Sequence, residues 1–151
     1  MSASARLGEL GIELPEVAKP LASYVPAVRS GNLVFTSGQL PTEAGKLAET
    51  GKVGAAVTPE QGKALARICV LNALAAVDWL VGIDAVARVV KVVGFVASAP
   101  GFNGQPGVVN GASDLLTEVF GDRGSHARSA LGVSELPLDA PVEVELVVEV
   151  G

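Results

Sequence analysis

Near its C-terminal end the chain alternates. Val142, Val144, Leu146, Val148 and Val150 share one parity, and Glu143, Glu145, Val147 and Glu149 share the other. A period of two places these sets on opposite faces of a β-strand. The first face belongs in a core. The second is acidic but not fully polar, because Val147 interrupts it.

A different period rules the middle of the chain. Thr58, Pro59 and Gln61 form a capping box with proline at the first helical position. Ala64, Leu65, Ile68, Leu71, Leu74, Ala75 and Trp79 then recur at helical spacing until Gly82. Trp79 is expected as a core anchor. A second helix is predicted over 110–120, with Ala112, Leu115, Leu116, Val119 and Phe120 on its apolar face and Gly121 ending it.

The other segments are shorter. Residues 24–29 and 33–37 read as strands joined at Ser30-Gly31-Asn32, a hairpin. Val86–Ala97 carries valine on both parities, as a central, covered strand does. Residues 126–133 give one more strand, and Leu136-Pro137 breaks it. Residues 2–12 predict a short helix ended by Pro15 and Pro20, residues 41–56 a loop with a short edge strand, and residues 99–107 a loop.

The order is therefore hairpin, helix, strand, helix, strand, strand. Two long helices can cover one face of a single mixed sheet, which is an α+β domain. One domain is expected over 1–151, with residues 1–20 as an N-terminal extension. The uncovered face of such a sheet would be buried by something outside the chain.

Composition narrows the function. Aromatic residues are only 4%, so Val, Leu and Ala must build the core. A mean hydropathy of +0.45 favours a surface covered by another subunit. The formal charge of -5 offers no footprint for a phosphate backbone. Cys69 stands alone, so it can form no intrachain disulfide, and inside an apolar helix it reads as a small buried hydrophobe. With one histidine and no metal-spaced Cys/His cluster, no metal site is expected. The start lacks the charged-then-apolar order of a signal peptide, and no apolar run approaches the roughly 20 residues that cross a bilayer. A cytoplasmic protein with no membrane partner is expected.

Two segments carry the candidate chemistry. Ser37-Gly38-Gln39-Leu40-Pro41 follows the strand that starts at Leu33. Ala127-Arg128-Ser129 precedes Leu136-Pro137 and then the acidic strand. In this order and spacing, residues 21–150 resemble the RidA (YjgF/YER057c/UK114) family of reactive-intermediate deaminases, some of which carry the label L-PSP endoribonuclease. The resemblance implies a chorismate-mutase-like fold, a homotrimer and pockets between neighbouring subunits. It implies hydrolysis of small 2-imino or 2-enamino acids to 2-keto acids and ammonia, without a cofactor. It places the substrate-carboxylate arginine on Arg128, the water-positioning glutamate on Glu143, and pocket residues on Tyr24, Gly38, Asn110 and Ala130.

Elementary chemistry agrees. A guanidinium binds a carboxylate through a rigid fork, and a carboxylate can orient water and move its proton. Arg128 and Glu143 lie on consecutive predicted strands that could pair through residues 136–140. Alternatives stay open for single residues. Glu145 and Glu149 rival Glu143 on one face; Tyr24 either lines the pocket or seals the hairpin; Asn110 is either a ligand group or a helix cap. His126 shares a face with Arg128 and either joins the pocket or sits exposed at the strand end. Ala130 stands where many such deaminases have cysteine. Two further functions compete with deamination. One is a non-catalytic trimer that senses a small carboxylate through Arg128. The other is RNA cleavage, which the acidic charge disfavours.

Overall fold

The structure is a computed structural model that describes residues 1–19 and 22–151. The break predicted at Pro20, and with it the end of the N-terminal extension, lies outside the described residues. The chain forms helix α1 (Ala3–Glu9), strands β1 (Ala27–Ser30), β2 (Leu33–Thr36), β3 (Thr42–Glu43) and β4 (Lys46–Leu47), and helix α2 (Pro59–Val81). Strand β5 (Val86–Ala97), helix α3 (Gln105–Phe120), and strands β6 (Ala127–Val133) and β7 (Val142–Val150) follow.

Five strands make one mixed sheet in the order β1-β2-β7-β5-β6. Only β5 and β6 run parallel; the other neighbours are antiparallel. In β7 the valine parity is buried, Glu143, Glu145 and Val147 are half-buried, and Glu149 is exposed. Both long helices pack on the buried face. The opposite face carries Phe35 and Leu131, large apolar side chains that remain exposed in the single chain.

The valines of β5 fall on both parities because the strand bulges. Its ladder with β7 shifts register between Val86 and Arg88 and again between Val89 and Lys91. The core-facing positions are therefore Val86, Val89 and Val92, then Gly94 and Val96. Each step of three absorbs one extra residue and keeps the following valine on the core side.

Local chemistry explains where elements begin. Strand β1 starts at Ala27, later than predicted, because Pro26 cannot donate to a ladder. Gly31 takes a positive φ of 59° in the two-residue turn that follows. The predicted loop over 41–56 holds a separate two-stranded hairpin rather than one edge strand; Ala44 and Gly45, both with positive φ, form its turn. Helix α3 starts at Gln105, ahead of the predicted start at 110. Pro106 is tolerated in a first turn, where the missing N–H has no partner to lose.

Helix α2 has the predicted cap, with Gln61 N–H donating to Thr58 Oγ1 at 3.1 Å and Thr58 N–H to Gln61 Oε1 at 2.8 Å. One residue departs from the expected apolar face: Trp79 is 53% exposed, not a core anchor. The sheet-facing row runs through Cys69, Ala73 and Ala76, and the Cys69 thiol reaches Val142 O. Trp79 continues the neighbouring row of Ala64, Ile68 and Ala75, which has no cover at the last turn. Cys69 is fully buried as expected, and burial foremost pushes its thiol pKa up. By length and composition α2 could cross a bilayer although its apolar residues form no unbroken run; its place in the core accounts for that composition.

The N-terminal helix is tied down by one carboxylate. Asp84 accepts from Ser4 N–H at 2.8 Å and from Ser4 Oγ–H at 2.6 Å. These bonds hold the Asp84 carboxyl below its usual pKa. A depressed carboxyl stabilises the fold above its unfolded pKa and loses that effect as pH falls through its folded one. Protection of the α1 amides, measured against intrinsic exchange at each pH, should therefore fall on acidification below about pH 4, while Asp84→Asn should show the lower protection already at neutral pH. Equal exchange in parent and variant would remove Asp84 as the tether.

Candidate functional site

Glu143 opens β7 on the sheet's uncovered side, where it pairs across the ladder with Phe95. Its carboxylate lies against the Cα of Gly38. A Cβ at position 38 would overlap Glu143 Oε2, so any side chain there would push the carboxylate out of this position. The chain is fixed around that contact. Ser37 N–H donates to Pro26 O at 2.8 Å, Ser37 Oγ–H to Val25 O at 2.6 Å, and Gln39 exchanges two backbone bonds with Val144. Partial burial first, and the negative charge of Glu145 second, raise the Glu143 pKa above the ordinary glutamate value. Such a shift, in a carboxylate seated against Gly38, marks Glu143 as the acid–base candidate.

Tyr24 is largely exposed just before β1 and lines a cavity of about 830 Å³. Gly38, Gln39 and Leu138 share its wall, and Pro15 and Val17 of the N-terminal segment close another side.

Arg128 belongs to a second cluster. It pairs with Val92 of β5, a core-facing residue, so its side chain emerges on the helix side of the sheet. Helix α3 meets it there. Arg128 Nη1 donates to Asn110 Oδ1 at 2.7 Å and to Ser113 Oγ at 3.3 Å. Ser113 Oγ lies 2.9 Å from His126 Nε2, and His126 Nδ1 lies 2.6 Å from Gly124 O. Among the described residues no carboxylate forms an ion pair with Arg128. Ala130, two residues along, pairs with Gly94 and offers only backbone polar atoms.

The expected pairing of the Arg128 and Glu143 strands is not found. Strand β5 lies between β6 and β7, because β6 runs parallel to β5 and the connection through Pro137–Asp139 carries the chain past it. Two strand spacings separate Arg128 from Glu143 laterally, roughly 10 Å, and their side chains leave opposite faces. The chain thus brings together Glu143, Gly38 and Tyr24 in one place and Arg128, Asn110 and His126 in another. Asn110 is not a helix cap, since α3 begins a turn earlier. His126 is half-buried with both ring nitrogens engaged, not an exposed strand end. Ser113 was missed. Its spacing of three from Asn110 on a helix, facing two alternate residues on a strand, was the available signal.

A family model described as "YjgF/chorismate_mutase-like, putative endoribonuclease" matches residues 4–150. Protein TCP17 of Trypanosoma cruzi is 46% identical over 150 residues, covering 98% of this chain and 94% of that protein. Protein Atu1372 of Agrobacterium tumefaciens is 44% identical with a TM-score of 0.91, over 99% of this chain and 92% of its own. Escherichia coli TdcF, solved with bound serine, shares the fold at 23% identity and a TM-score of 0.65, over 90% of this chain and 94% of its own.

Proposed function

We infer that this chain, which belongs to the YjgF/chorismate-mutase-like family, hydrolyses small 2-imino acids to 2-keto acids and ammonia in pockets shared between subunits of a homotrimer. The observation that carries this reading is the half-buried guanidinium of Arg128, held by neutral groups and, among the described residues, neutralised by no carboxylate. Such a fork suits an anion. A small amino-acid-derived imine supplies that anion as its carboxylate. Serine, held by the fold relative TdcF, is a molecule of that size and charge type.

Glu143 supplies the other half. Water oxygen bonds to the imine carbon while Glu143 accepts one of its protons. The C=N bond becomes a single bond as that proton passes to nitrogen; the carboxylate then takes the hydroxyl proton and gives it to the amine, and ammonia leaves as the C=O bond forms. A carboxyl with a raised pKa is suited to both transfers near neutral pH. Because Arg128 and Glu143 leave opposite faces of one sheet, a small substrate can touch both only if they come from different copies. A pure carboxylate sensor would need Arg128 alone. RNA cleavage fits poorly with a formal charge of -5 and with glutamates on the open face.

The direct test generates imines in situ with an amino-acid oxidase and follows their disappearance. Its sharper form mixes defects. Arg128→Ala and Glu143→Gln should each be inactive alone. Co-expressed in equal amounts, they should recover about a quarter of the parent activity, since a cyclic trimer then assembles some pockets from two intact halves. Recovery of none would place both residues in one subunit's pocket. A parent inert towards every small imine, yet binding keto acids, would make the protein a sensor.

A further inference from the structure

We propose that Ser113 and His126 are positioning residues that fix the Arg128 guanidinium in one orientation through a directed chain of hydrogen bonds. The proposal rests on the reading of Arg128 as the carboxylate-binding group.

The direction of the chain follows from its end. Gly124 O can only accept, so His126 Nδ1, at 2.6 Å from it, carries the ring proton. In the neutral ring Nε2 then holds a lone pair, and Ser113 Oγ–H donates to it at 2.9 Å. With its hydrogen committed, the Ser113 oxygen presents its own lone pair to Arg128 Nη1–H at 3.3 Å. Asn110 Oδ1 takes an Nη1 hydrogen at 2.7 Å. Both acceptors sit on α3, three residues apart, and they engage one guanidinium nitrogen only.

This selectivity matters for recognition. With Nη1 held on two sides, Nε–H and Nη2–H₂ have no protein partner among the described residues. Those two nitrogens form one edge of the guanidinium, a parallel two-donor fork that fits a carboxylate side-on. A fork already oriented need not be ordered by the ligand, so binding is tighter. His126 acts at one remove. Both its ring nitrogens are used within the chain, so it reaches the ligand only through Ser113 and Arg128.

The probe is pyruvate, titrated against the full-length protein and followed by NMR. Arg128→Lys serves as the reference variant. Ser113→Ala, which favours the helix it sits in, should weaken pyruvate by roughly two- to tenfold. Ser113→Thr, which keeps the hydroxyl, should restore most of the affinity. His126→Phe should weaken binding by a similar factor, and the double variant Ser113→Ala/His126→Phe should be no weaker than Ser113→Ala. If the two losses multiply instead, His126 does not act through Ser113 and the chain is wrong. If Ser113→Ala binds like the parent while Arg128→Lys is weakened, this inference fails and the carboxylate role of Arg128 stands. If Arg128→Lys leaves pyruvate binding unchanged, the functional reading falls and takes this one with it.

Discussion

Glu143→Gln is expected to cut imine hydrolysis by about 10²–10⁴-fold while leaving pyruvate binding within a factor of a few. Glutamine nearly matches glutamate in shape, so it can lie against Gly38 as Glu143 does, but it cannot take a proton from water. The parent's pH–rate profile should show an acid limb above the ordinary glutamate value, because partial burial and then Glu145 raise this carboxyl. Glu145→Gln should move that limb to lower pH. Stability gives an independent check. A carboxyl whose pKa is raised on folding costs stability above its folded pKa and nothing below its unfolded one. Glu143→Gln should therefore be at least as stable as the parent at neutral pH, with the advantage fading on acidification towards about pH 4. Hydrolysis by Glu143→Gln at the parent rate would move the role to Glu145 or to a backbone-held water.

Gly111→Ala should lower stability by about 2 kcal/mol, although alanine is the better helix former. A Cβ at position 111 would overlap the carbonyl oxygen of Lys63, a backbone atom of α2. Side chains can rotate out of such a contact; two helix backbones can only move apart. The strain of that movement, roughly 3 kcal/mol, exceeds the propensity gain of about 1 kcal/mol. For a chain of this size the melting temperature should fall by about 4–8 °C at matched protein concentration. Gly107→Ala is the control, since nothing lies within 4 Å of the added methyl in the same helix, and it should stabilise slightly. The shift would also reach the candidate site, because Asn110 and Ser113 flank Gly111 and hold Arg128. An unchanged melting temperature for Gly111→Ala would mean that α2 and α3 separate at little cost.

The elements that were legible are those whose signal is local. The cap at Thr58, the Gly31 turn and the β7 alternation each depend on neighbours in sequence, and each is found. The resemblance to the RidA family rested on ordered short motifs, and the family is the one matched. It was that resemblance, not spacing alone, that pointed to Arg128, Asn110, Glu143 and Gly38 as pocket candidates.

Only the tertiary structure decided how those residues divide. From sequence, β6 and β7 are neighbours joined by a short break; in space β5 separates them, and no local preference encodes the parallel pairing that puts it there. The same holds for Trp79, whose exposure depends on which row of α2 meets the sheet, and for Ser113, whose hydroxyl matters because His126 and Arg128 arrive from another element. Periodicity names the faces of each element, whereas pairing across the sheet and packing against the helices decide what each face meets, and those contacts form between residues far apart in the chain.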